Sequence, residues 1–171
     1  MKKFGLAAAF LLMIAVYLLP YRLTLVSGPS MTPTIADGTL LLVDRSYYSH
    51  RPIQRGDIVT FHYGREIYLK RVYGLPGDEI IQLHTPGAPD TIVLPDQVAR
   101  VEHSVIRRQP GAALLRVKVP AGRLYLLGDG GMLSRDSRDF GTVAQAAVTG
   151  KVISWPGVES ALSGRQVAAL R

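Results

Sequence analysis

Ser30 lies in S-G-P-S-M-T-P-T (Ser27–Thr34), and Lys70 follows in Y-L-K-R-V-Y-G-L-P-G-D. A serine hydroxyl is a weak nucleophile until a base takes its proton. Histidine is the usual base, yet none of the four here has a motif around it. His50 and His103 sit in polar stretches, His84 precedes a Thr-Pro turn, and His62 alone falls within a strong strand pattern. No pair has metal-ligand spacing. A lysine can serve instead if it is desolvated, because burial disfavours its charged form and lowers its pKa. Strand alternation in E-I-Y-L-K-R-V-Y puts Tyr68, Lys70 and Val72 on one face and Ile67, Leu69, Arg71 and Tyr73 on the other. Gly28, Pro29 and Pro33 pin the backbone around Ser30, which suits a nucleophile on a rigid turn. Taken singly, each residue has a plainer reading: an ordinary turn serine, and a strand lysine with its head in water.

A third polar segment, G-D-G-G-M-L-S-R-D-S-R-D-F-G (Gly128–Gly141), follows the apolar run R-L-Y-L-L. A phosphate-binding loop would need a helix after it, and Asp129, Asp136 and Asp139 would repel phosphate. A buried polar network supporting a nearby site fits better.

The elements that must position these residues read as strands. Thr39–Asp44, Asp57–Tyr63, Glu66–Tyr73, Glu79–His84, Thr91–Leu94, Leu114–Val119, Arg123–Gly128 and Val148–Trp155 are rich in β-branched and aromatic residues. Gly, Pro and Asp punctuate them, as in Arg55-Gly56-Asp57, Leu75-Pro76-Gly77-Asp78 and Pro86-Gly87. No long helical period appears in the body, and the stretch from His84 to Arg108 has weak pattern. The expectation is a mostly β chain in three parts: a cytoplasmic tip and transmembrane anchor over 1–22, a β-rich catalytic domain over 23–157, and a tail over 158–171 with a short helix.

The anchor rests on Lys2 and Lys3 followed by an apolar run from Phe4 to Leu19, about sixteen residues before Pro20 and Arg22 close it. A cleavable leader would need small residues before its cut, and this segment ends L-L-P-Y-R-L-T-L-V. The lysines place the N-terminus in the cytoplasm and the body outside, in a plasma or inner membrane, with the intermembrane space as the mitochondrial equivalent. The remaining chain is long enough for one domain with its own core. The 171 residues carry no cysteine, which excludes disulfides, thiolate metal sites and a cysteine nucleophile. The net charge of +7 suits anionic lipid headgroups, and the scattered Lys and Arg argue against nucleic acid.

Together these segments resemble the type I signal peptidase (leader peptidase) family, most closely its compact bacterial and mitochondrial inner-membrane members. The matches run in family order: the serine motif, R-G-D-I-V (Arg55–Val59), the lysine motif, the Gly128–Gly141 motif and the ending G-K-V-I-S-W-P. The resemblance implies an antiparallel, barrel-like β domain resting on the bilayer. It implies cleavage of preprotein signal peptides with small residues at the first and third positions before the cut, with no cofactor. Ser30 would be the nucleophile and Lys70 the general base. Ser134 would orient the amine, and Met31 would shape the pocket beside the nucleophile. Asp136 and Arg138 would form a supporting ion pair, with Arg71 or Asp129 joining it. The Ser30 N–H would hold the oxyanion. Some members add a serine side chain two positions earlier, where this chain has Gly28, so the second donor is a backbone N–H or the Ser27 hydroxyl. Gly130, Gly131 and Leu133 also depart from the usual wording of the last motif. They keep two alternatives in view: a maturation peptidase for a narrow client such as a pilin or conjugation protein, and a catalytically silent membrane-anchored binding module.

Overall fold

The computed structural model describes residues 19–157 together with Phe10 and Met13. The expected anchor and the C-terminal tail lie largely outside the described residues, and no helix among those described is long and apolar enough to cross a membrane. The described chain is mostly antiparallel β-sheet. Seven strands form one sheet in the order β1 (Tyr21–Leu25), β2 (Leu40–Asp44), β10 (Val148–Ser154), β3 (Ile58–Tyr63), β4 (Glu66–Gly74), β8 (Arg123–Leu127) and β9 (Val143–Ala144). A smaller sheet sets β5 (Glu79–Thr85) between β6 (Ala88–Val93) and β7 (Ala113–Lys118).

Period-2 alternation explains why the large sheet has a core on each face. In β3, Ile58, Val59, Thr60 and Phe61 are all buried. Ile58 packs with Val26, Met31, Ile35, Leu41, Val43 and Val152, whereas Val59 and Phe61 pack with Val72, Leu124, Leu126 and Val143. The same alternation divides β4: Leu69 packs against the first cluster, Tyr68 and Val72 belong with the second, and Lys70 shares their face. A third cluster, Ile80, Val119 and Tyr125, joins the small sheet to β8.

Two segments differ from expectation. Tyr21 and Arg22, assigned to the end of the anchor, open β1, paired to Asp44 and Val43 of β2. Pro20 forbids helix continuation, and the following Y-R-L-T-L alternates well enough to pair as a strand. In the weakly patterned stretch, β6 begins at Ala88 rather than Thr91, because the Thr85↔Ala88 pair closes the hairpin tightly around Pro86-Gly87. Beyond it, Pro95–Ile106 coils into short helical turns (Pro95–Gln97, α1 over Val98–Val101, then Glu102–Ile106) without a buried side chain. A helix with no core-facing stripe leaves little periodicity to read.

Candidate active site

The turn after β1 delivers Ser30. Val26 N–H donates to Thr39 O at 2.9 Å and Gly38 N–H to Val26 O at 3.1 Å, which ties the start of the turn to the strand end before β2. Gly28 N–H donates to Asp37 Oδ1 at 2.8 Å. Thr32 N–H donates to Pro29 O and Ile35 N–H to Met31 O, and the Thr32–Pro33 bond is cis. Met31 and Ile35 drop into the core beneath and anchor the turn. Met31 is therefore fully buried beneath Ser30 and is not among the residues lining the cleft described below.

Lys70 reaches Ser30 from β4. Its Nζ lies 2.8 Å from Ser30 Oγ and donates to Leu69 O at 2.9 Å. The residue is only 2 % exposed. Burial pushes its amine down from 10.5 to about 8; Asp136 and Asp129 draw it up, and Arg138 draws it down. Once the amine is neutral, the Leu69 carbonyl holds one N–H and the lone pair is left to accept the Ser30 proton across the same short contact.

The Gly128–Phe140 segment supports both residues. Gly128 directly follows β8 and lies against the Ser30 turn: a Cβ there would sit 2.1 Å from Ser134 Oγ and 2.4 Å from Ser30 O. Gly130 N–H donates to Ser30 O at 2.9 Å. Asp136 is fully buried and caps α2 (Ser137–Phe140). Its oxygens accept from Gly128 N–H at 2.9 Å and from Arg138 Nε and Nη2 at 2.9 and 2.7 Å. Burial alone would push this carboxyl up, but the Arg138 guanidinium and the Gly128 N–H outweigh it and hold it below the usual carboxylate range. Arg71 and Asp129 form a separate two-pronged pair, and Arg71 Nη1 also donates to Gly56 O. Ser134 Oγ is buried between these groups. It lies near enough to the Asp136 carboxylate to help hold it ionised, and it makes no hydrogen bond to Lys70 among the described residues.

Three contributors had no signal of their own in the sequence: the Leu69 carbonyl, the Ser137 hydroxyl that accepts from Leu126 N–H at 2.9 Å, and the closeness of Gly130 to the Ser30 turn. Gly130 has φ −73°, open to any residue, so its special feature is space. A Cβ there would lie 2.6 Å from the Pro29 carbonyl oxygen, a backbone atom that no rotamer change can move. Gly130→Ala is therefore expected to lower kcat by about 10- to 100-fold with little change in KM, since a shift of about 1 Å in a nucleophile costs on that order. Steady-state kinetics on a cleavable peptide would check this. An unchanged kcat would mean that the loop can retreat without moving Ser30.

A cleft of about 380 Å³ opens beside the pair. One wall is Thr24–Ser30, including Ser27 and Gly28; the other is Glu66–Lys70, with Leu133 and Arg135 contributed by the supporting loop. Each wall includes a strand edge. Among the described residues β1, which ends at Leu25, pairs only with β2, and the Glu66–Lys70 half of β4 pairs only with β3, because β8 takes up β4 from Arg71 onward. An extended peptide laid between them would meet unpaired backbone groups on both sides.

The family model described as signal peptidase, peptidase S26, matches residues 1–155. A Bacillus caldolyticus protein named signal peptidase I is 37 % identical over 142 residues, covering 74 % of each chain. A Staphylococcus aureus signal peptidase IB is 28 % identical over 174 residues, covering 89 % of this chain and 87 % of its own. A crystal structure of a signal peptidase I from Enterococcus faecalis V583 shares 28 % identity over 61 % of this chain and 98 % of that chain, with a TM-score of 0.38. With nearly the whole described domain inside the family match, this chain belongs to the signal peptidase, peptidase S26, family.

Proposed function

We propose that this protein is a membrane-anchored serine endopeptidase that removes N-terminal signal peptides from exported preproteins, with Ser30 as nucleophile and Lys70 as general base. The observation that carries this reading is the 2.8 Å contact between the Ser30 hydroxyl and a buried lysine amine at the end of a cleft with two open strand edges. Lys70 takes the hydroxyl proton as Ser30 Oγ attacks the scissile carbonyl carbon. The tetrahedral intermediate collapses, the C–N bond breaks, and the leaving amine takes the proton from Lys70. Water then gives a proton to the Lys70 amine as it attacks the acyl carbon, and that proton passes to Ser30 Oγ as the acyl C–O bond breaks. The Ser30 N–H, which donates to no other group among the described residues, serves the oxyanion. Gly28 N–H is already committed to Asp37, which favours the cleft-lining Ser27 hydroxyl as the second donor.

The same reading includes a preference for small residues before the cut. In an extended peptide the first and third side chains before the cut point to one face. Val26, Leu41 and Leu69 are among the apolar residues lining the cleft, and side chains on that face would rest against them. Residues 1–22 include the anchor, with the N-terminus cytoplasmic and the catalytic domain on the exported side. A signal peptide's own apolar segment occupies the same bilayer, so anchoring raises the effective concentration of enzyme and cleavage site.

The test is cleavage of a preprotein bearing an Ala-x-Ala site by the detergent-solubilised full chain, beside Ser30→Ala. Cleavage at that site by the parent alone is expected. A folded parent that leaves the preprotein intact, or an equally active Ser30→Ala, would overturn the reading.

A further inference from the structure

We infer that Met132 and Leu133 form the surface that receives the first side chain after the cut and favour an apolar residue there. The inference rests on the reading above, because it needs a peptide in the cleft.

The direction of that peptide follows from topology. β1, β2, β10, β3 and β4 are successive antiparallel neighbours, so β1 and β4 run the same way. Ser30 follows the end of β1, and Lys70 is the last residue of the open half of β4, so both walls deliver their reactive group at one end of the cleft. The other end is the start of β1 at Tyr21, directly after the proposed anchor. A preprotein whose apolar segment is still in the bilayer enters from the Tyr21 end and runs parallel to β1. Its residues after the scissile bond then pass beyond Ser30, onto the Gly128–Ser134 loop.

That loop is clamped in backbone and bare in side chain. Gly130 N–H is bonded to Ser30 O, Leu133 N–H to Gly130 O at 3.1 Å, and Ser134 N–H to Gly131 O at 3.2 Å. Arg138 Nη2 donates to Gly131 O at 2.6 Å. On this fixed backbone Met132 is 72 % exposed and Leu133 68 % exposed, and Leu133 lines the cleft. These two neighbouring apolar side chains, on a loop bonded to the Ser30 carbonyl, belong to none of the hydrophobic clusters of the described residues. An apolar side chain arriving there removes their surface from water along with its own.

The experiment compares two peptides that are identical up to the cut and carry Leu or Ser immediately after it. The full chain and its Met132→Ser/Leu133→Ser double variant would both be assayed. The parent is expected to favour the Leu peptide by about tenfold in kcat/KM, the scale of one apolar contact, and the double variant by about twofold or less. Labelling of Ser30 by a serine-directed phosphonate shows that each protein retains a reactive hydroxyl, and the Leu-to-Ser ratio within each protein is the readout. A parent without preference, or a double variant that keeps it, would overturn the inference while leaving Ser30-dependent cleavage intact. So would a double variant that keeps the preference but binds phosphatidylglycerol vesicles less well, since the pair would then be a bilayer contact. Absence of Ser30-dependent cleavage of either peptide would instead overturn the peptidase reading itself, and this inference with it.

Discussion

Lys70→Met is expected to abolish cleavage and to raise the stability of the protein at neutral pH. The two effects have one cause. Lys70 is 2 % exposed, and burial lowers its amine from 10.5 to about 8. Between those values the unfolded chain holds the proton that the folded chain has released. The lysine's contribution to stability is therefore full above the unfolded value, falls as pH drops from 10.5 towards 8, and is at its least favourable below 8. The difference is on the order of 3 kcal/mol. Methionine has nearly the same length and no charge to desolvate. Thermal unfolding at pH 7 should show the variant higher by roughly 5 to 10 °C, with the gap narrowing as pH rises towards 10. Activity should fall by at least about 100-fold, the lower end of what a positioned general base contributes. The parent's kcat/KM should rise through pH 8 and level off above it, as the amine loses its proton. A parent profile flat from pH 6 to 9, or a Lys70→Met enzyme that still cleaves, would remove Lys70 from the role of base. A variant less stable than the parent at pH 7 would mean that the contacts to Ser30 and Leu69 outweigh the cost of burial.

How much of this was legible in the sequence follows from the range of the forces involved. The strands were readable because alternation is local: Lys70 shares a face with Tyr68 and Val72 for the same reason that it was expected to. The partition of charges in the last motif was not. Arg71 and Arg138 were both available to Asp129 and Asp136, and the choice depends on register. Arg71 stands opposite Leu127, which brings Asp129 within its reach, while Asp136 turns back to cap α2 and meets Arg138 two residues on. β1 was hidden for a different reason. Its first residues continue an apolar run, and only pairing with β2 distinguishes a strand from the end of a span. Gly130 and Leu133 looked like departures from a motif. Their positions, one against Pro29 O and one in the cleft wall, depend on a contact between segments about a hundred residues apart, which no local pattern encodes.

Asp136 carries the other large effect. It is fully buried, and every hydrogen bond it makes through its side chain is an accepted one: Oδ1 from Arg138 N–H and Nε, Oδ2 from Gly128 N–H and Arg138 Nη2. Asp136→Ala strands a guanidinium that is only 11 % exposed, as well as the Gly128 N–H. Breaking a buried pair in this way costs about 3 to 5 kcal/mol, or on the order of 10 °C in a domain of this size. Asp136→Asn should rescue little, because an amide nitrogen would face donors at one of the two oxygen positions. The sign with pH is opposite to that of Lys70. This carboxyl is held below its ordinary 3.8, so its stabilisation is full above that value and is lost as pH falls through the folded one. Urea unfolding of parent and variant at pH 7 and pH 3 should show the gap closing at the lower pH. The surviving activity provides an independent readout. Asp136 is the largest influence drawing the Lys70 amine upward, and without it only the weaker pull of Asp129 opposes the Arg138 charge. The rising limb of kcat/KM in Asp136→Asn should therefore move to lower pH than in the parent. A limb that stays put would mean that the Asp136–Arg138 pair braces the loop without tuning the base, and equal stability of parent and Asp136→Ala at pH 7 would deny it even that.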